Sequence, residues 1–384
     1  MDPMLYCCCG LDVHKDIIEA CIIKGEGSEP EIFRCQFNTS RESLRELVDW
    51  LANYDCFSVA MESTGVYWYM IYDTLIEKMA YKENIYVVNA HHMKNLPGRK
   101  SDVKDAEWIA SLFRHGLLSR SFVPDAKLRE VREFTRLLRT YIQEQSRYKN
   151  RIEKFLQSHG FKFSTAMSDV FCQTGIALLN ILKTNGEITE EDAKKACRRL
   201  RTLPIDETVK LVSGKLNASE QCLLKHLLQT FDSSSSEIKS LKDDIRHLTD
   251  SYKTEIDLIQ SIPGIAEDSA TEIIAEISPA PQEFFSNADK LCAWAGLVPR
   301  NDQSAGKIKS KKILHGNPRI KAILCQVAWV SVYARDSIYH DWYWSHVKAL
   351  GEKKAIIAVS RKILKTIYLL LSKKTQYKYL KKTA

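Results

Sequence analysis

The sequence predicts an α/β domain followed by a mostly helical remainder. Three observations carry this. Up to about residue 120, short apolar runs bounded by turn residues alternate with stretches of helical spacing. From residue 127, apolar side chains recur at heptad spacing. Beyond residue 258, helical patterns continue and positive charge accumulates.

Taken in order, Cys7–Val13, Ile17–Ile23 and Glu31–Phe37 read as three strands, with Gly25, Gly27 and Ser28 turning the chain before the third. Ser40 then opens a helix on which Leu44, Leu47, Val48 and Leu51 share one face. Phe57–Met61 reads as a fourth strand, Val66–Met79 as a helix and Ile85–Val88 as a fifth strand. After a polar loop with Pro97 and Gly98, Ser101 is placed to cap a helix running to about His115. Three strands, helix, strand, helix, strand, helix is the order of an RNase H-like, or RuvC-like, domain, expected over 1–120.

Residues 121–257 are expected to form coiled-coil arms carrying a helical insert. Leu128, Val131, Thr135, Leu138, Ile142, Gln145, Lys149, Ile152 and Leu156 follow 3-4 spacing. A second run, Ile238, Leu241, Ile245, Leu248, Tyr252 and Ile259, begins after Ser233–Ser236, which reads as a linker. The two runs can pair as antiparallel arms, join two copies, or pack as an ordinary bundle. Residues 258–384 form the third expected domain. Ile262-Pro-Gly-Ile followed by Ala270, Ile273 and Ile274 has the pattern of a helix–hairpin–helix, with Gly264 at the turn and helix N–H groups free to face a phosphate. Asn317 and Pro318 are a good N-cap and first helical residue for a helix starting near Arg319.

The formal net charge of the 384-residue chain is +8. Residues 300–384 hold 19 Lys and Arg against four acidic residues, +15, which leaves residues 1–299 at −7. A basic C-terminal quarter on an acidic body points to a polyanion partner, most often nucleic acid. The longest apolar run, Ile363 to Leu371, is short and interrupted by Lys365, so no membrane span is expected. No basic region followed by an apolar run opens the chain, so no secretory leader is expected. The eleven cysteines are scattered without a C-x-x-C pair, and the consecutive Cys7, Cys8 and Cys9 do not suit tetrahedral zinc. They read as small apolar residues in a reducing cytoplasm.

Two constellations carry chemistry. Asp12 lies near the end of the first strand, Glu62 follows the fourth, and Asp102 and Asp105 stand three apart on one helix face. Four carboxylates in one place repel unless a divalent cation neutralises them, and oxygen donors favour Mg²⁺ or Mn²⁺. Such ions can stabilise both oxygens of a phosphoryl displacement. The second constellation is Gly296-Leu-Val-Pro-Arg-Asn-Asp-Gln-Ser-Ala-Gly-Lys307, where Ser304 stands among Arg300, Lys307, Lys309, Lys311 and Lys312, with Arg319 further on. A serine surrounded by cations can act as a nucleophile on phosphorus. It can equally be one more phosphate contact, and composition alone favours that reading.

Gly10-Leu-Asp-Val-His-Lys-Asp16, Met61-Glu-Ser-Thr-Gly-Val-Tyr67 and Lys100-Ser-Asp-Val-Lys-Asp-Ala106 together resemble the motifs of the DEDD transposases of insertion sequences, the group related to the Piv and MooV DNA invertases. Ile262-Pro-Gly-Ile, Trp294-Ala-Gly-Leu-Val-Pro-Arg300, Ser304 and His315-Gly-Asn-Pro-Arg319 are similar to that family's second domain. The resemblance covers about residues 5–160 and 255–370. It implies that Asp12, Glu62, Asp102 and Asp105 bind metal and that Ser304 is the nucleophile of a covalent phosphoserine link. It further implies a composite site shared between protomers, hence a homo-oligomer, and a structured noncoding bridge RNA that selects donor and target DNA. A bacterial or archaeal cytoplasm, at the nucleoid, is the setting it implies. The chain departs from the pattern at Ser304-Ala305-Gly306, where members carry Ser-Gly.

Other classes make different demands. A RuvC-like junction endonuclease needs only the carboxylates and forms no covalent intermediate. An actin-like ATPase needs glycine-rich phosphate loops, and Gly10-Leu-Asp-Val-His-Lys15 lacks the Gly-Thr of its first loop. A non-enzymatic nucleic-acid-binding protein needs only the basic quarter.

Overall fold

A computed structural model describes residues 4–27, 29–63, 65–89, 105–197, 203–300, 302–304, 307–310, 312–335 and 337–378, with backbone alone at 302–304 and 307–309. The chain divides into two compact units, Met1–Ala126 and Lys127–Ala384.

The first unit is a mixed sheet with helices. Its strands are β1 (Cys7–Val13), β2 (Ile17–Lys24), β3 (Glu31–Asn38), β4 (Val59–Glu62) and β5 (Ile85–Val88), in the order β3-β2-β1-β4-β5. The first three form an antiparallel meander, and β4 and β5 add in parallel to β1. Parallel additions need crossovers. Helix α1 (Arg41–Asn53) joins β3 to β4, and α2 (Trp68–Lys78) lies between β4 and β5. The Ser40 hydroxyl accepts from the Ser43 N–H, so α1 starts where its cap dictates. Leu44, Leu47 and Leu51 then pack with Leu11, Ile18, Met61 and Ile71 in one core. Cys8, Cys9 and Cys21 are buried sheet residues, as their pattern implied.

Helix α3 (Asp105–Arg114) lies against β1 and β2. Gly10 explains how closely. A Cβ there would overlap the Ala106 carbonyl oxygen and the Ala110 amide nitrogen. A glycine inside a strand marks such a backbone approach, and Ala106 and Ala110 keep the facing helix surface equally thin.

The second unit is mostly helical. Helix α4 (Ala126–Ser158) is continuous through the predicted heptads, but the seam is buried only at its two ends, Leu128 to Leu138 and Ile152 to Leu156, and Ile142 between them is exposed. A small helical insert follows: α5 (Phe163–Ala166), α6 (Gln173–Asn185), α7 (Glu190–Cys197) and α8 (Ile205–Val212), with a two-stranded ladder of β6 (Glu187–Ile188) and β7 (Gly214–Lys215). Helix α9 (Ala218–Thr249) then returns antiparallel to α4. Gln145 Nε2 donates to Ser235 Oγ at 2.8 Å, Leu138 packs on Leu241 and Ile245, and Lys127 Nζ reaches Ser251 Oγ at 2.7 Å.

Here the structure corrects the sequence reading. Ser233–Ser236 is not a linker but the middle of α9. Serine costs about 0.5 kcal/mol more than alanine in a helix, too little to break one anchored at both ends. Asn217 and Glu220 form a reciprocal capping box at the start. Ser234 and Ser235 turn their hydroxyls back onto the carbonyls of Thr230 and Phe231 at 3.0 and 2.8 Å. Being small, they also let α4 approach.

The remaining helices are α10 (Lys253–Gln260), α11 (Glu267–Ile277), α12 (Ala288–Trp294), α13 (Pro318–Ser331), α14 (Ile338–Leu350) and α15 (Glu352–Lys373). Between α12 and α13 lies a hairpin of β8 (Asp302–Ser304) and β9 (Lys307–Ser310). None of the described helices is long and apolar enough to cross a membrane.

Candidate active site

Three of the four sequence-predicted carboxylates lie in described parts of the first unit. Asp12 is near the end of β1 and Glu62 ends β4. The two strands are parallel neighbours, and each residue stands one step beyond the last pair in register, Leu11 and Met61. Asp105 is the first residue of α3, next to the Ala106 that Gly10 receives. Asp102, and Ser101 with it, lies outside the described residues.

These carboxylates feel one another. Burial raises the Asp12 carboxyl above the ordinary aspartate range, and the charges of Asp105 and Glu62 raise it further. The opposing influence is His14, whose Nε2 stands 3.2 Å from Asp12 Oδ2. Crowded negative charge on oxygen donors suits a hard divalent cation. Among the described residues, however, no three Asp, Glu, His or Cys side chains are gathered closely enough to hold an ion. His14 was not singled out from the sequence. Its signal is its place two residues after Asp12, on the same side of an extended chain.

The second constellation lies in the second unit. Ser304 is not in an open loop: it ends β8 and pairs with Lys307, the first residue of β9. Arg300 and Lys312 flank this hairpin, joined by Arg300 N–H donating to the Lys312 carbonyl at 2.9 Å. Both are exposed, as is Arg319 in the first turn of α13. The side chains of Ser304, Lys307 and Lys309, and all of Lys311, lie outside the description.

The base of the hairpin is tightly closed. Leu314 N–H donates to the Val298 carbonyl at 3.0 Å, and Asn317 N–H to the Trp294 carbonyl at 3.1 Å. Between these bonds Gly296 and Gly316 meet backbone to backbone, both with positive φ (71° and 53°). A side chain at either would separate the arms. Asn317 Oδ1 accepts from the N–H groups of Arg319 and Ile320, capping α13 as its sequence promised.

Gly264 lies in the turn between α10 and α11, with φ 91°. A Cβ there would come within 2.9 Å of Ser331 at the end of α13, whose hydroxyl donates to the Pro263 carbonyl at 2.7 Å. In the fold, this glycine admits a neighbouring helix end.

Two family models match the chain. One, described as a transposase of the DEDD type, covers residues 9–161, with Asp12, Glu62, Asp102 and Asp105 inside it. The other, described as the transposase IS116/IS110/IS902 family, covers residues 256–343, with Ser304 inside it. No curated protein matches. The class is therefore a transposase, an enzyme acting on DNA. Taken together the two matches span most of the chain, and it belongs to the IS110 family of transposases, the enzymes of insertion-sequence transposition.

Proposed function

We propose that this transposase cuts and rejoins the DNA of its insertion sequence through a covalent link to Ser304. The observation that carries the reading is the placement of Ser304 at the strand end of a hairpin with a closed base, flanked by exposed cations. A hydroxyl on such a mount can be held against a phosphodiester while Arg300, Lys312 and Arg319 balance the phosphate charge. In the cutting step Ser304 Oγ attacks phosphorus and loses its proton. The bond from phosphorus to one sugar oxygen breaks, and that oxygen leaves as a hydroxyl. Rejoining is the reverse with a second strand, so one phosphoester replaces another and no nucleotide is consumed.

In this reading the first unit is an RNase H-like domain. Asp12, Glu62, Asp105 and Asp102 would hold Mg²⁺ or Mn²⁺. The fit rests on the oxygen-only donor set and on the raised Asp12 carboxyl. A bound cation supplies charge neutralisation at the attacked phosphate. Gly264, Lys307, Lys309 and Lys311 complete the proposed nucleic-acid surface. A composite site requires at least a dimer, and selection of DNA is assigned to a structured bridge RNA.

Trapping the reaction on a denaturing gel tests this. Wild type is expected to shift labelled DNA into a protein-linked band, and Ser304→Ala to leave it free. An adduct with Ser304→Ala would overturn the serine assignment. Strand cleavage with no adduct in any variant would leave the carboxylates as the whole machinery, as in a junction endonuclease. Undiminished activity in EDTA would remove the metal from the reading.

A further inference from the structure

Helix α11 carries carboxylates at Asp268, Glu272 and Glu276, four residues apart and thus on one face. Each meets a cation from a long helix. Lys242 of α9 reaches Asp268 at 2.6 Å, and Arg139 of α4 reaches Glu272 at 3.1 Å. Arg136 of α4 grips Glu276 with Nε on Oε1 at 2.9 Å and Nη2 on Oε2 at 3.1 Å. Exposure of the three carboxylates falls along the row, from 47% through 14% to 3%.

The buried end is unlike the rest. Arg132 of α4 donates from Nε to the Ala275 carbonyl and from Nη2 to the Glu276 carbonyl, both at 2.6 Å. These carbonyls belong to the last turn of α11, where no helical N–H follows to satisfy them. Glu276 Oε2 accepts one more bond, from Asn317 Nδ2 at 2.9 Å. Asn317 thus uses three groups for three tasks. Its N–H closes the hairpin base, its Oδ1 caps α13, and its Nδ2 holds Glu276.

A buried ion pair is by itself weak evidence of stabilisation. What distinguishes this one is where its bonds go. Capping alone would be served by Ser or Asp at position 317. Asn accepts from the helix through Oδ1 and donates to the carboxylate through a separate Nδ2, which an ionised Asp cannot do. The Glu276 carboxylate joins partners 140 and 41 residues away in sequence.

We propose that Glu276 is a positioning residue for the Ser304 hairpin, fixing it to the long helix α4 through Asn317. The functional half rests on Ser304 being the nucleophile; the mechanical half does not. Movement of α4 then reaches the serine through two side chains. A partner that shifts the arm changes the placement of the reacting hydroxyl.

Asn317→Asp tests it, because it keeps the cap and turns the donor into a second carboxylate facing Glu276. Hydrogen exchange is expected to speed up at the amides of Arg300, Leu314 and the substituted residue itself, while the middle of α13 stays protected. The single-turnover rate of adduct formation at saturating DNA is expected to fall about ten- to a hundred-fold, the scale of a misplaced reacting group, with DNA affinity little changed. Adding Glu276→Gln supplies an amide donor to the new carboxylate and is expected to recover most of both losses. Should Asn317→Asp not fold, Asn317→Gly is tolerated at an N-cap, lacks the donor, and is expected to show the same two losses. Wild-type hairpin protection in the folded single variant, or no recovery in the double, overturns the proposal. If Ser304→Ala still forms the adduct, the serine reading fails separately, and the exchange measurement still decides the mechanical coupling.

Discussion

Gly10 and Ala106 meet backbone to backbone, leaving no room for a Cβ at Gly10. Asp12 lies two residues after the first, and Asp105 one residue before the second. The contact therefore sets how near α3 brings its carboxylate to β1.

Gly10→Ala is expected to push α3 off the sheet, at a cost of about 1–3 kcal/mol, the usual scale of overpacking. Urea denaturation measures the loss. Divalent-cation affinity should fall with it, since Asp105 moves from Asp12. A variant as stable as wild type would show that the helix does not lie so close.

Burial raises the Glu272 carboxyl above the ordinary glutamate range, against the pull of Arg139. The fold therefore holds that proton better than the unfolded chain does. Its contribution is full below the ordinary value of about 4.3 and is lost as pH rises through the raised value. Glu272→Gln cannot ionise and escapes the loss. Its stability relative to wild type is expected to improve from pH 4 to pH 7, read from urea midpoints. A relative decline over that range would mean that the Arg139 pair outweighs burial.

DNA binding is expected to weaken steeply with salt, because each phosphate neutralised releases counterions. Arg319→Ala should reduce the slope of log affinity against log salt by about one, with no change in sequence preference. An unchanged slope would place Arg319 away from the phosphates.

Cysteine reactivity should follow burial. Cys222 is exposed, whereas burial pushes the Cys8 thiol up to about 12 and those of Cys21 and Cys292 up to about 11. Native alkylation followed by mass spectrometry is expected to label Cys222 first. Equal labelling of Cys8 in folded protein would contradict a closed contact between β1 and α3.

Much of this was legible in the residues. The strands Cys7–Val13 and Ile85–Val88, the helix from the Ser40 cap, the long helix to Ser158 and the Asn317 cap depend on neighbours a few positions away, and such signals lie in local sequence. The same holds for the motifs around Asp12, Glu62 and Ser304. Ser233–Ser236 misled because serine weakens a helix only slightly, and the capping box at Asn217 and packing against α4 outweigh it. Only the tertiary structure decided that Gly10 serves a helix approaching from about a hundred residues away, that Gly296 meets Gly316, and that Glu276 joins Arg136 to Asn317. These relationships depend on which distant backbones touch, and no period or motif along one chain records that distance.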